Sequence, residues 1–290
     1  MSAAAYETRQ IKRQRSTKAE VEARRKALLD IIADGKPMTV RQVFYQATVH
    51  GLVEKAETGY SKVQTDLTLM RRDGVLRYDW LADNTRWQRK PRTFDSVEDA
   101  LKETAAFYRK NLWRDADSYV EIWMEKDALA GVIYPITSMY DVPLMVARGY
   151  ASLSFLYNAA EYINQLDVPA YIYHLGDYDP SGVNAGEKIE ETLRELAPNA
   201  EIYFERIAVT PEQIEAWNLP TRPTKKTDTR AKSFGSELSV ELDAIDPNVL
   251  RSLVQDAIER HLPAAQFEIL KAAEESERKI ISRLVRRATS

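Results

Sequence analysis

The chain has 290 residues, 44% hydrophobic and 29% charged, which excludes a disordered or fibrous protein and favours two domains. The absence of cysteine excludes disulfides, thiolate metal sites and cysteine nucleophiles, and three histidines are too few for a histidine-rich metal site. Any metal should therefore be a hard ion held by oxygen atoms. No apolar run approaches the ~18 residues of a membrane span, and the N-terminus lacks a signal-peptide core, so we expect a cytoplasmic protein with no membrane partner.

Charge is distributed unevenly along the chain. Residues 1–92 contain 19 basic and 11 acidic residues, a net charge of +8, whereas the remainder carries −11. A basic module joined to an acidic domain is typical of a protein that binds a polyanion such as double-stranded DNA. A solvated basic tail would give the same imbalance, so charge alone does not decide between the two interpretations.

The N-terminal region predicts a basic disordered tail over residues 1–17 and a winged-helix DNA-binding domain over 18–92. Apolar residues recur at helical spacing in three segments: 19–35, 40–50 and 61–72. Thr39 is placed to cap the second segment, and residues 75–78 (VLRY), after an Asp-Gly turn, predict the strand of the wing. A small helical bundle without a wing is the alternative.

The third predicted helix is the candidate recognition helix of this domain. In a winged-helix protein that helix enters the major groove, where basic side chains contact DNA. The candidate contacts are Lys62, Arg71 and Arg72.

The second half of the chain predicts a mixed α/β domain. A linker helix within 93–115 leads into residues 116–245, where four short apolar runs predict strands: 119–124, 143–147, 170–175 and 202–204. Helical stretches long enough to be crossovers separate them, which indicates a mainly parallel sheet. A helical tail over 246–290 ends the chain.

Acidic residues follow two of these strands. Glu125 comes directly after the first strand, and Asp177 and Asp179 follow the third within residues 176–182 (GDYDPSG). Because ligands of open parallel sheets bind beyond the carboxyl ends of the strands, the three carboxylates should converge there. Converging anions need a cation, and Mg²⁺ is the hard ion that carboxylates and phosphates share.

Two alternatives stay open at this edge of the sheet. Residues 177–182 could be an ordinary strand-to-helix turn in which an aspartate caps the helix. Glu121, two strand positions before the end of the first strand, is the rival acid to Glu125. Lys126 is positioned to contact phosphate or to form a local cap.

Four segments together resemble one family. Residues 124–128 (MEKDA), 149–153 (GYASL) and 176–182 (GDYDPSG) resemble the Toprim domain of the A subunit of type IIB DNA topoisomerases (topoisomerase VI). In that family a preceding winged-helix domain carries the nucleophilic tyrosine in a segment similar to residues 41–45 (RQVFY). The resemblance covers about residues 20–210, and the chain is closest in form to the short stand-alone A-subunit-like proteins of mobile elements.

The resemblance implies a mechanism. By carry-over, Tyr45 is the nucleophile, Arg41 is its partner, and Glu125, Asp177 and Asp179 hold Mg²⁺. A homodimer is implied, in which the tyrosine of one protomer works with the acids of the other. The chain contains no phosphate loop of an ATPase, so ATP-driven strand passage would need a separate B-type subunit.

The residues give this chemistry an independent rationale. Phosphoryl transfer requires positioning and charge neutralisation more than covalent help from the protein, and Arg41 lies one helical turn before Tyr45. Together with these residues, the resemblance implies Mg²⁺-dependent double-strand DNA cleavage through a 5′-phosphotyrosyl link. The alternatives are a Toprim nuclease that hydrolyses DNA with water and a winged-helix DNA-binding protein without catalysis.

Overall fold

The N-terminal part of the chain folds into three helices in the computed structural model, which describes residues 16–82, 91–224 and 234–289. The helices are α1 Lys18–Gly35, α2 Val40–Val49 and α3 Glu57–Arg72. Capping boxes begin the first two: Thr17 pairs reciprocally with Glu20, and Thr39 with Gln42. The three helices predicted from the sequence are confirmed, although α3 begins four residues earlier than expected. Residues 1–15 of the predicted tail lie outside the described residues.

The predicted wing strand at residues 75–78 is wrong. The N–H groups of Val75 and Leu76 both donate to the carbonyl of Met70, at 2.9 and 3.0 Å, and so close the end of α3 instead of joining a strand ladder. The chain continues into a 3₁₀ helix at Tyr78–Trp80, and residue 81 makes an isolated bridge to residue 38. Residues 83–90, where the rest of a wing would fall, lie outside the described residues.

A four-stranded parallel sheet forms the second half of the molecule. Its strands are β1 Tyr119–Met124, β2 Leu144–Val146, β3 Ala170–Leu175 and β4 Ile202–Ala208. They are ordered β2-β1-β3-β4 with every pair parallel, which confirms the predicted mixed α/β class with a parallel sheet.

Helices connect and flank the strands. The crossovers are α5 Ala130–Met139, α6 Leu153–Ile163 and α7 Pro180–Leu196. Outside them lie α4 Val97–Phe107, α8 Pro211–Ala216, α9 Pro247–Glu259 and α10 Ala264–Thr289, and a two-stranded ribbon of β5 Arg222–Pro223 and β6 Leu238–Ser239. The predicted helical tail is thus two helices, of which α9 packs on α5 and α10 on α4. No helix among the described residues is both long and apolar enough to cross a membrane.

The core has two parts, one on each face of the sheet. One contiguous cluster joins buried side chains of α1–α3, such as Leu28 and Val43, to Ile122 of β1 and Leu250 of α9. The other surrounds Trp123 beneath α6 and α7. The three N-terminal helices therefore share a hydrophobic core with the sheet, and α2 packs against α1, α3 and the 3₁₀ turn at Leu242–Ala244.

His174 is buried in β3 and is kept neutral by its surroundings. Its ring stacks on Phe204 at 5.7 Å between centroids, and burial, with the nearby Arg206 charge, lowers the pKa of His174 to about 3. A Cβ on Gly176 or Gly186 would lie 2.8 or 3.1 Å from the ring carbon Cε1, so glycine at both positions lets the ring approach the backbone.

We expect His174 to make the fold acid-sensitive. Below pH 6.5 the unfolded chain binds a proton at this residue and the folded chain does not, so the free energy of unfolding falls as pH falls. The slope is at most about 1.4 kcal/mol per pH unit. Urea unfolding of His174→Gln should show a shallower decline from pH 6 to 4 than the parent. The exposed His50→Gln is the control, and an unchanged slope in His174→Gln would contradict the prediction.

Candidate active site

Three acids lie at the carboxyl edge of the sheet, as the sequence predicted. Glu125 follows β1, Asp177 follows β3, and Asp179 caps α7, with its Oδ1 accepting from the Gly182 N–H at 2.8 Å. A Cβ on Gly182 would lie 2.5 Å from the carbonyl oxygen of Asp177 and 3.1 Å from Glu125 Oε2. Glycine at this position therefore lets the first turn of α7 pack tightly between the two strand ends.

Two further acids enter the same edge from a segment that the sequence interpretation missed. Residues 240–243 follow β6, and Tyr178 and Val240 exchange two backbone hydrogen bonds, 2.8 and 2.9 Å long. The Leu242 N–H donates to Asp177 Oδ1 at 2.8 Å. These bonds bring the buried side chains of Glu241 and Asp243 to the strand ends.

Lys126 is at the centre of the acids. Its Nζ lies 2.7 Å from Asp243 Oδ2, 3.0 Å from Asp177 Oδ1 and 3.5 Å from Glu241 Oε2. Burial disfavours the charged ammonium, but the three carboxylates outweigh it and raise the pKa of Lys126. Lys126 is therefore a fixed positive charge within the cluster.

Two arginines join the cluster through Glu241. Arg41 Nη1 lies 2.5 Å from Glu241 Oε2, and Arg222 Nη1 lies 2.7 Å from Glu241 Oε1. Arg222 also approaches Asp179 Oδ2 at 3.3 Å. Burial would raise the pKa of Glu241, but the Lys126 charge, the hydrogen bond and charge of Arg41 and the charge of Arg222 together lower it. Glu241 is therefore an ionised carboxylate shared by two guanidinium groups.

The N-terminal end of α2 is anchored in the same cluster. Thr39, its cap, donates from Oγ1 to Asp243 Oδ1 at 2.9 Å, and Arg41 follows in the first turn. The helix that carries Tyr45 thus contacts the acids of its own chain. The homodimer implied by the resemblance would instead use the acids of the other protomer.

Tyr45 lies next to this cluster but is largely buried. Its side chain is 7% exposed, its ring lies 5.5 Å from that of Phe44, and Lys55 Nζ lies 5.8 Å from the ring centroid. Burial, reinforced by the Glu241 charge, raises the pKa of Tyr45 to about 12 although Arg41 acts in the opposite direction. The hydroxyl is therefore neutral at pH 7, and a nucleophilic role requires a group that accepts its proton.

Glu125 has the least compensated charge of the three predicted ligands. Its buried Oε2 has no hydrogen-bond partner among the described residues. Burial first, and then Asp177 and Asp179, raise the pKa of Glu125. The oxygen donors suit a hard cation, and an unpartnered carboxylate oxygen is a place where one could bind. However, no three His, Cys, Asp or Glu side chains in the described part of the chain are already grouped around a metal position.

Glu121, the rival acid, occupies a different environment. It accepts hydrogen bonds from the Tyr119 hydroxyl at 2.7 Å and from the Trp123 indole N–H at 2.6 Å. Burial raises the pKa of Glu121. None of these contacts connects it to Asp177 or Asp179, so Glu125 is the better candidate.

The candidate DNA contacts on α3 are separate from this cluster. Lys62 lies 3.6 Å from Glu54, and the guanidinium of Arg71 donates to the carbonyl of Tyr78 at 3.4 Å. Lys62 and Arg72 are exposed. These contacts are local to residues 54–78, and none of them connects the three basic side chains to the acids at the strand ends.

Comparison with known proteins identifies no family. No family model matches the chain, and no curated protein matches it. The resemblance to the topoisomerase VI A subunit therefore rests on the motifs themselves.

Removing Asp243 should destabilise the protein. Asp243→Ala leaves the Thr39 hydroxyl without its acceptor and removes one of the carboxylates that compensate the partly buried Lys126. We expect the free energy of unfolding to fall by about 2–4 kcal/mol. The exposed Glu237→Ala, a nearby acid, should change it by less than about 0.5 kcal/mol. Equal, small effects in urea unfolding of both variants would contradict the anchoring role of Asp243.

Proposed function

We propose that the protein cleaves double-stranded DNA by transesterification, with Tyr45 as nucleophile. The observation that supports this most strongly is the contact of Arg41 with Glu241, because it joins the helix that bears Tyr45 to the acids at the strand ends. Residues about 200 positions apart in the chain thereby form one site. We propose further that α1–α3 belong to a winged-helix domain and that the sheet is a Toprim domain.

The chemistry assigns a task to each residue. The Tyr45 oxygen attacks a backbone phosphorus and loses its proton, the bond from phosphorus to the 3′ oxygen breaks, and that oxygen leaves as a hydroxyl after gaining a proton. The products are a 5′-phosphotyrosyl link and a free 3′ end. Arg41, one helical turn from Tyr45, neutralises charge on the phosphate. The basic side chains of α3 would bind the duplex farther from the scission point.

A divalent cation is part of the proposal. Glu125, Asp177 and Asp179 would hold Mg²⁺, and when bound it would neutralise negative charge on the transferring phosphate. The unpartnered Glu125 oxygen supports this assignment. Against it, Asp177 is already paired with Lys126 and Asp179 with Arg222, so these cations would have to yield part of their contact.

We expect Glu125→Gln to separate Mg²⁺ binding from folding. The variant loses the least compensated charge of the cluster, so its melting temperature without metal should equal or exceed that of the parent. The rise in melting temperature that Mg²⁺ gives the parent should be lost. Glu121→Gln, the rival acid, should keep the Mg²⁺ response. A parent that shows no Mg²⁺ response, or a response that Glu125→Gln retains, would remove Glu125 from the metal site.

A second copy of the chain and a separate ATPase subunit are further proposed partners. The cut in both strands requires two nucleophiles, so a homodimer is the simplest assembly for this activity. Within one chain, Arg41 already contacts Glu241, and each protomer could therefore contribute a complete site.

Hydrolysis without a covalent intermediate is the second candidate function. The burial of Tyr45 and its raised pKa favour this alternative, because they make the hydroxyl a poor nucleophile in the free protein. In that case the acids of the strand ends would act on water, and Tyr45 would be a packing residue.

Tyr45→Phe discriminates between the two functions. We expect the variant to keep its fold and DNA affinity and to lose cleavage of supercoiled plasmid in Mg²⁺ by at least 10³-fold, roughly the loss expected when a nucleophile is removed. Tyr60→Phe, on the neighbouring helix, should cleave at the parent rate.

The parent reaction is denatured with and without protease to detect protein on the DNA ends. Protein attached to the 5′ ends supports transesterification. Free 5′ ends, together with full activity of Tyr45→Phe, would establish hydrolysis instead. An intact plasmid would exclude both.

A further inference from the structure

We propose that Arg41, Lys126 and Arg222 form a phosphate-binding site whose ligand position is filled by the carboxylate of Glu241 in the free protein. The shared chemistry of the ligand is a phosphate group, which a DNA backbone or free phosphate could supply. The choice of the DNA backbone rests on the proposed function.

The geometry around Glu241 is that of an anion held by three cations. Its Oε2 lies 2.5 Å from Arg41 Nη1 and 3.5 Å from Lys126 Nζ, and its Oε1 lies 2.7 Å from Arg222 Nη1. The three cations come from α2, from the end of β1 and from β5. A surface ion pair needs only two side chains. Here three cations from separate elements surround one carboxylate, which is the arrangement of an anion-binding site.

Burial shows which partner faces outward. The Glu241 side chain is 5% exposed, whereas those of Arg41 and Arg222 are 46% and 36% exposed. Solvent therefore reaches the two arginine side chains far more than the carboxylate that they contact. Each guanidinium has five N–H donors in a planar fork that fits carboxylate and phosphate oxygens alike, so donors remain for an incoming phosphate.

The charges of the cluster indicate that Glu241 is the carboxylate with which a phosphate would compete. In the part of the chain that the structure describes, the cluster comprises four cations and five carboxylates, a net charge of −1: Arg41, Lys126, Arg206, Arg222, Glu125, Asp177, Asp179, Glu241 and Asp243. Three of the carboxylates are matched by hydrogen bonds from backbone or hydroxyl donors as well. Among the described residues, the Glu241 carboxylate accepts hydrogen bonds from Arg41 and Arg222, with Lys126 nearby. It is thus the acid whose displacement leaves cations free.

The test compares phosphate affinity with and without the Glu241 charge. Glu241→Gln is made in a Tyr45→Phe chain, so that binding is measured without cleavage, and a labelled 20-base-pair duplex is titrated without metal. We expect about tenfold tighter binding and a salt dependence steeper by roughly one unit, since each new phosphate contact adds about 0.9. Adding Arg222→Gln should remove the gain.

Glu205→Gln is the matched control. Glu205 is an exposed acid paired with Arg260 at 2.8 Å, so this variant changes the net charge equally. We expect it to tighten DNA binding by less than about twofold, because screening weakens distant charges. A gain equal to that of Glu241→Gln would reduce the effect to net charge and overturn the proposal.

Inorganic phosphate is the second probe. If phosphate stabilises Glu241→Gln against heat more than the parent while duplex affinity is unchanged, the site exists but takes free phosphate, and its assignment to DNA is wrong. Unchanged or weaker binding of both probes by folded Glu241→Gln overturns the site.

Glu241→Asp protects the test against a folding failure. This variant keeps the negative charge and shortens the side chain by one methylene, which should weaken its contacts with Arg41 and Arg222. We expect a gain in duplex affinity smaller than that of Glu241→Gln, and no gain would overturn the proposal. These binding results do not depend on catalysis. Tighter binding by Glu241→Gln in a protein that never cleaves DNA would refute the proposed function and leave the phosphate site standing.

Discussion

The Glu241 carboxylate, held between Arg41 and Arg222, is the ionic contact around which the rest of the site is arranged. Together with the hydrophobic core that α1–α3 share with the sheet, this contact holds Tyr45 beside acids that lie up to about 200 residues away in the chain. The Glu241 side chain is buried, so removing one of its cationic partners lowers the free energy of unfolding. The second contact, from Thr39 to Asp243, fixes the start of α2 at the same place.

The elements were predictable where the side-chain pattern determines them. The errors arise where backbone hydrogen bonds or contacts between distant segments determine the structure. Apolar runs gave all four strands, and position at the strand ends gave the first three acids. The predicted wing strand was wrong because the N–H groups of Val75 and Leu76 donate to the carbonyl of Met70. The side-chain pattern does not reveal these backbone hydrogen bonds. Glu241 and Asp243 were missed since their neighbours in space are far away in sequence. Alternating acids in an otherwise apolar segment were the available signal.

The charges and hydrogen bonds of the site are those of a protein without bound phosphate or cation. Tyr45 is protonated and buried, Arg41 is engaged by Glu241, and Glu125 has an unpartnered oxygen among the described residues. Under the proposed function, an incoming phosphate would compete with Glu241 for Arg41, and a cation would compensate Glu125. Substrate binding would then be coupled to the contacts of Glu241.

The coupling between Arg41 and Glu241 is the most direct test of this account, since the shared site depends on it. A double-mutant cycle with Arg41→Gln, Glu241→Gln and the double variant measures that coupling from urea unfolding, without any assumption about activity. The account predicts a coupling free energy of about 1 kcal/mol or more, because the two side chains are in direct contact and Glu241 is buried. If the free-energy changes of the two single variants add to within about 0.3 kcal/mol of that of the double variant, the two side chains do not interact. That result would contradict the contact between Arg41 and Glu241 on which this account of the site rests.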